Sequence, residues 1–258
     1  MPFELFDTYL RLPVLMLVVA RIAGLLMFQP LVGGIAVPMR IRALIVIGLA
    51  ALVVPVVSLP AGAPADPAII AFALMTELGL GAAMGIALRM VFVGMQIGGQ
   101  LIAQESGVAF AQIADPSSGV EGDMINIFYG QLASIVFLII GGHRVLVGGV
   151  LDSFRDMPLL SPALDPAAAL TLLTDAVGSG CELGLKLAAP VMVTLLMVNV
   201  ALGFIGRTVP QLNVATVGFS IKGIAAFGLM AVALPTGIDA FTSTLEEVMG
   251  WVAELGRG

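Results

Sequence analysis

Six stretches of this chain stay apolar for roughly the 20 residues that a helix needs to cross the hydrocarbon layer of a membrane. They cover about 9–29, 41–59, 69–93, 124–142, 183–206 and 220–238 of the 258 residues. The polar remainder is thin: 59% of residues are hydrophobic and 11% charged. An ordinary soluble domain takes about 25% charged residues to clothe its surface, so the bilayer is the solvent this sequence is built for. The expected fold class is an all-α membrane protein of about six long hydrophobic helices plus short amphipathic helices. The first apolar run, Leu12 to Phe28, follows Glu4 and Asp7. It lacks the basic start, short core and small-residue cleavage site of a secretory signal, so it reads as a retained helix.

The connections differ in character. Pro60-Ala-Gly-Ala-Pro-Ala-Asp-Pro is a proline-rich surface loop. Residues 105–123 form the longest non-helical insert, rich in glycine and half apolar. Residues 145–182 read as a weakly amphipathic helix, a Pro-rich break at 158–166 and another short helix; Asp239 to Leu255 reads as a short amphipathic helix carrying Trp251. No linker divides the chain, so 1–258 is expected to be one integral-membrane domain. In a six-span arrangement Arg40, Arg42, Arg89, Arg207 and Lys222 fall on one side and Arg11, Arg144, Arg155 and Arg257 on the other, a slight bias towards an outside N-terminus.

Several functions are excluded by what the chain carries. A net charge of −6 with 11 Lys+Arg does not suit a nucleic-acid partner. Cys181 is the only cysteine and His143 the only histidine, which removes disulfides, cysteine metal clusters and zinc-protease chemistry. There is no Gly-x-Ser-x-Gly, no His-Glu-x-x-His and no P-loop. An intramembrane enzyme is therefore disfavoured, and no cofactor or metal is implied. A secondary transporter is the rival of a different class; Pro13, Pro55 and Pro190 could break helices as such folds require, but no internal repeat is visible.

The informative residues are the polar ones inside apolar runs. Arg21, Glu77, Arg89 and Lys186 must face protein or water, because an unpaired charge at the bilayer centre costs about 2.5 kcal/mol or more. They read either as a polar seam along a conduit or a neighbouring subunit, or as internal pairing of Glu77 with Arg21 plus snorkelling of Arg89. Glu182 and Lys186 stand four apart in the favourable order for a helix-end pair. Gln96, Gln100 and Gln104 make one stripe on a helix, facing a conduit or gluing two helices, and lead into the insert. Gly81 and Gly85, and Gly94 and Gly98, are small-xxx-small contacts. The two pairs stand nine residues apart, about 180° around an unbroken helix. His143, beside Arg144 at a helix boundary, reads as a capping or surface residue.

Motifs along nearly the whole chain resemble a known family. Glu77-Leu-Gly-Leu-Gly-Ala-Ala-Met-Gly leads to Gln104-Glu-Ser-Gly-Val, Asp115-Pro-Ser-Ser-Gly, Gly142-His143 and Asp152-Ser-Phe-Arg-Asp-Met-Pro. Downstream stands Asn199-Val-Ala-Leu-Gly-Phe-Ile-Gly-Arg207-Thr-Val-Pro-Gln-Leu-Asn-Val, whose Arg-x-x-Pro-Gln-Leu-Asn-Val block is the most specific part. Their order and spacing resemble the FliR family of flagellar biosynthetic proteins, whose counterpart in virulence type III secretion systems is the T-type export-apparatus protein. The resemblance implies a subunit of the export gate in the bacterial inner membrane, at the flagellar basal body. Its implied partners are P-type and Q-type gate proteins, larger export proteins of the apparatus and the unfolded substrates that pass through. It implies a P-like part over 1–182 and a Q-like hairpin with C-terminal helix over 183–258, much of the chain being raised from the bilayer plane. It places a channel plug at Ser106, Gly107, Phe110, Ile113, Asp115, Pro116 and Gly119, and the Q-like hairpin turn at Arg207, Pro210, Gln211 and Asn213.

Overall fold

A computed structural model of the chain describes residues 2–29, 37–55, 57, 66–107, 124–160, 166–208 and 214–254. Among these residues every regular element is helical: α1 Pro2–Phe28, α2 Met39–Val53, α3 Pro67–Ser106, α4 Met124–Ile139, α5 Gly142–Asp156, α6 Pro166–Thr208 and α7 Val214–Glu254. The protein is an all-α membrane protein. By length and composition α3, α6 and α7 can each cross a membrane, and the broken pair α4 and α5 makes a fourth candidate. Among the described residues each of the six apolar stretches falls mostly on a helix, but they are not six equivalent spans. The apolar helix Pro13–Phe28 is shorter, and α2 has 15 residues.

The helix ends follow local chemistry. Asp66 caps α3, its Oδ1 accepting from the Ala68 N–H at 2.9 Å, which satisfies one of the orphan donors of the first turn. α3 stops at Gly107, whose φ of +79° is the left-handed conformation glycine adopts without steric cost. Gly141, at φ +76°, separates α4 from α5 in the same way.

Two expected short helices are not separate elements. The stretch after the 158–166 break continues without interruption through the fifth apolar run to form the 43 residues of α6. The stretch from Asp239 belongs to the 41 residues of α7. Polar composition changes the surroundings of a helix without ending it. Nor do the prolines break the helices that hold them: Pro13, Pro190 and Pro235 lie inside α1, α6 and α7. Pro55 follows the end of α2.

The chain forms two compact units that interleave in sequence. The first is built from Met1–Met90, Ile140–Val177 and Glu246–Gly258. Its core includes Val18, Ile22, Leu25, Met84 and Leu88, and α2 packs on α1. The second comprises Val91–Ile139 and Gly178–Leu245. Its core holds an aromatic cluster: the Phe92 ring lies 5.5 Å from Phe137 and 5.4 Å from Phe241, both at tilted or edge-on angles that suit ring quadrupoles.

Candidate functional site

In the first unit the polar chemistry gathers on Arg21. Its side chain is buried in α1, yet its guanidinium is supplied with acceptors on several sides. Nε donates to Glu77 Oε2 at 2.6 Å, Nη1 to the Ser153 carbonyl at 2.7 Å and Nη2 to the Met157 carbonyl at 3.0 Å. The Phe154 ring lies 4.2 Å from the guanidinium carbon, within cation–π range. One planar fork therefore binds a carboxylate on α3 and caps the C-terminal end of α5, where a cation also meets the negative end of the helix dipole. The helices approach closely enough for this because glycine lines the crossing. A Cβ on Gly81 would collide with the Arg21 carbonyl, and one on Gly85 with that of Leu25.

In the second unit the same device recurs without charge. Gly94 on α3 faces the Gly180 carbonyl on α6, and Gly98 packs on Gly184 and Leu187. Along the adjoining stripe, Gln100 Oε1 accepts from Asn126 Nδ2 of α4 at 3.1 Å. The Gln96 side chain lies against Gly130. Gln96 and Gln104 are exposed and Gln100 is half-buried. The stripe ends where α3 hands over to the insert. Ser106 is buried, its Oγ donating to the Ala103 carbonyl at 2.9 Å. Gly107 is held under the Phe219 ring of α7, which lies 2.6 Å from where a Cβ would stand, and Lys222 Nζ sits 5.5 Å from that ring's centroid. Gly107 is thus favoured by its backbone angle, and a Cβ there would displace the Phe219 ring.

The expected site residues fall into three groups. Arg21 and Glu77 are brought together and buried, as internal pairing requires. Arg89 and Lys186 are not buried charges. Arg89 is exposed on α3; Lys186 is exposed on α6 and pairs with Glu182 at 2.8 Å, because each sits at a helix position turned away from the unit's core. Arg207 is exposed in the last turn of α6, and His143 is exposed in the first turn of α5. Phe110, Ile113, Asp115, Pro116, Gly119, Pro210, Gln211 and Asn213 lie outside the described residues. Sequence reasoning missed the partners. Gly180 and Gly184 stand four apart, the same spacing that marked Gly81 and Gly85, so that signal was legible. Ser153 and Met157 stood in the Asp152-Ser-Phe-Arg-Asp-Met-Pro motif without any sign that their carbonyls meet Arg21. Among the described residues no group of three or more His, Cys, Asp or Glu side chains gathers as a metal site.

The family model for bacterial export proteins, family 1, matches residues 12–248. Flagellar biosynthetic protein FliR of Escherichia coli (strain K12) is 28% identical, over 91% of this chain and 89% of that protein. Flagellar biosynthetic protein FliR of Caulobacter vibrioides is 27% identical, over 95% of this chain and 97% of that protein. Surface presentation of antigens protein SpaR of Shigella sonnei is 27% identical, over 64% of this chain and 63% of its own length.

Proposed function

Since this chain belongs to the bacterial export proteins, family 1, we propose that it is a core subunit of the flagellar type III protein export gate, helping to form the channel through which unfolded flagellar proteins cross the inner membrane. The observation that carries this reading is the near-complete match to flagellar biosynthetic proteins, over 91% and 95% of the chain. A virulence type III secretion subunit is the second reading. It is favoured by the SpaR match, which spans only 64% of the chain. In either role the chain acts without catalysis or cofactor: it shapes a path, and the energy for export is supplied by other components.

In this reading P-type and Q-type gate proteins surround the chain, with residues 1–182 as its P-like part and 183–258 as its Q-like hairpin and C-terminal helix. The Gln96, Gln100 and Gln104 stripe faces the conduit, and the insert that begins at Ser106 and Gly107 closes it at rest. The packing of the Phe219 ring beside Gly107 supports that closure, because it seats one root of the insert against α7. Arg207 and the turn beyond it face the cytoplasmic export proteins. Two experiments test the proposal. Purified in mild detergent from its own cells, the chain should emerge in a large complex with two other small hydrophobic proteins. A stable monomer or homodimer that binds a small molecule would instead support a secondary transporter. Deleting residues 108–118 should raise ion leak across the membrane, and unchanged conductance in a normally assembled complex would remove the plug assignment.

A further inference from the structure

A buried hydroxyl in the second unit is used by none of these roles. Tyr129 of α4 is 0% exposed, and its Oη has no hydrogen-bond partner among the described residues. A hydroxyl taken from water without a replacement partner disfavours the state that buries it. A phenylalanine would fill the same place without that penalty. The packed arrangement is therefore opposed at this one atom, and it holds because of the contacts around it.

Those contacts form a seam between α3 and α4 with two unlike ends. At one end the Phe92 and Phe137 rings stand 5.5 Å apart, and Ala133, Val136 and Phe137 of α4 are buried. At the other end the contacts are polar or made by backbone. Gln100 Oε1 accepts from Asn126 Nδ2 at 3.1 Å, and the Gln96 side chain lies beside Gly130. A Cβ on Gly99 would stand 2.9 Å from the Tyr129 ring and 3.1 Å from the Asn126 Cα, so the helices meet there with nothing but hydrogen between them.

The two ends resist separation unequally. Parting the first exposes aromatic surface. Parting the second exchanges one amide bond for bonds from water to Gln100 and Asn126, and it gives the Tyr129 hydroxyl the partners it lacks. Gln96 and Gln104 are exposed and Gln100 and Asn126 are half-buried, so the polar end already lies at the edge of the unit. α4 is also a separate rod of 16 residues that ends before Gly141, whose φ is +76°. Its tilt does not require a continuous helix to bend there.

We propose that the N-terminal half of α4 swings away from α3, pivoting on the Phe92–Phe137 contact, and that the buried Tyr129 hydroxyl keeps the closed seam poised to open. Closed, the seam is held by the Gln100–Asn126 bond and by the fit of the ring on Gly99. Open, it admits water to Tyr129. The hydroxyl is a positioning group that sets how often the seam opens. The proposal rests on the export reading in one respect, that the Gln96, Gln100 and Gln104 stripe faces water.

Thiol labelling of the intact detergent-purified complex tests it. In a Cys181→Ser background, Ile125→Cys puts a reporter on the buried face of α4 at the polar end, and Ala133→Cys puts one towards the pivot. A charged maleimide should label the Ile125→Cys chain about tenfold faster than the Ala133→Cys chain. Adding Tyr129→Phe should slow the faster reaction about tenfold, the ratio that about 1.4 kcal/mol supplies, and should raise the melting temperature. Adding Asn126→Ala should speed it. Where the Ile125→Cys chain does not fold, nitration of Tyr129 by tetranitromethane reads the same opening, separated from Tyr9 by peptide mass, and Asn126→Ala should again speed it. Equal labelling at the two positions, labelling unchanged or quickened by Tyr129→Phe, or nitration unchanged by Asn126→Ala would each overturn the proposal. Failure of the export reading would appear instead in the co-purification, since labelling reports on this seam in whatever assembly holds the chain.

Discussion

Around Arg21 the chain encloses its own polar groups; along the second half of α6 and the first half of α7 it leaves apolar surface uncovered. At the first place a guanidinium 2% exposed finds a carboxylate and two backbone carbonyls within the same chain, and the glycines beside it meet backbone. At the second, Leu196, Phe204, Ile224 and Phe227 are exposed. Gly203, Gly223 and Gly228 have no neighbouring atom within 4 Å of where a Cβ would stand. The share of buried residues in the apolar window tells the same story, 39% in α3 against 17% in α6 and in α7. One region is finished by folding; the other is finished by what surrounds it, lipid or neighbouring subunits.

Glu77→Ala offers the largest test of this contrast. It strands a buried guanidinium and should cost about 3–5 kcal/mol, seen as loss of folded protein in detergent. Survival of Glu77→Ala with near-normal thermal stability would show that water reaches Arg21. Gly94→Val should cost about 2 kcal/mol or more, because its side chain meets the Gly180 backbone and no rotamer change can relieve that. Melting of the purified chain reads the effect without any partner. In the open region the sign should reverse. Gly203→Ala should stabilise the isolated chain by up to about 1 kcal/mol through helix propensity, yet lower the yield of the assembled complex. A rise in both would mark that face as covered by lipid alone. The smallest effect belongs to Glu182→Ala, expected within about 1 kcal/mol for an exposed pair, measured by the same melting curve.

What the sequence disclosed divides along the same line. The all-α class, the Arg21–Glu77 pair and the glycine contacts of α3 followed from the cost of charge and bulk in an apolar setting, which any chain position reveals by itself. The identity of the partner helix did not. Nothing near Gly94 names Gly180, 86 residues later, because many glycines have the right spacing and only the fold selects among them. The capping of α5 by Arg21 was hidden for the same reason: Ser153 and Met157 contribute backbone carbonyls, which every residue has. Helix lengths were misjudged where composition changed but the backbone did not, as at Glu182 in α6 and Asp239 in α7. The exposure of Arg89 and Lys186 depended on which side of a helix faces the core, and that too is set by packing.

The reach of Arg21 also sets a timetable for biogenesis. Its carboxylate partner lies 56 residues downstream and the carbonyls it caps begin 132 residues downstream. At a ribosomal pace of roughly 5–20 residues per second, those groups are made roughly 3–11 s and 7–26 s after Arg21 itself. Throughout that interval the nascent first helix carries a guanidinium without the carboxylate and carbonyls that hold it in the folded chain. It must wait at a wet margin, the insertion machinery or a lipid headgroup until the later helices arrive.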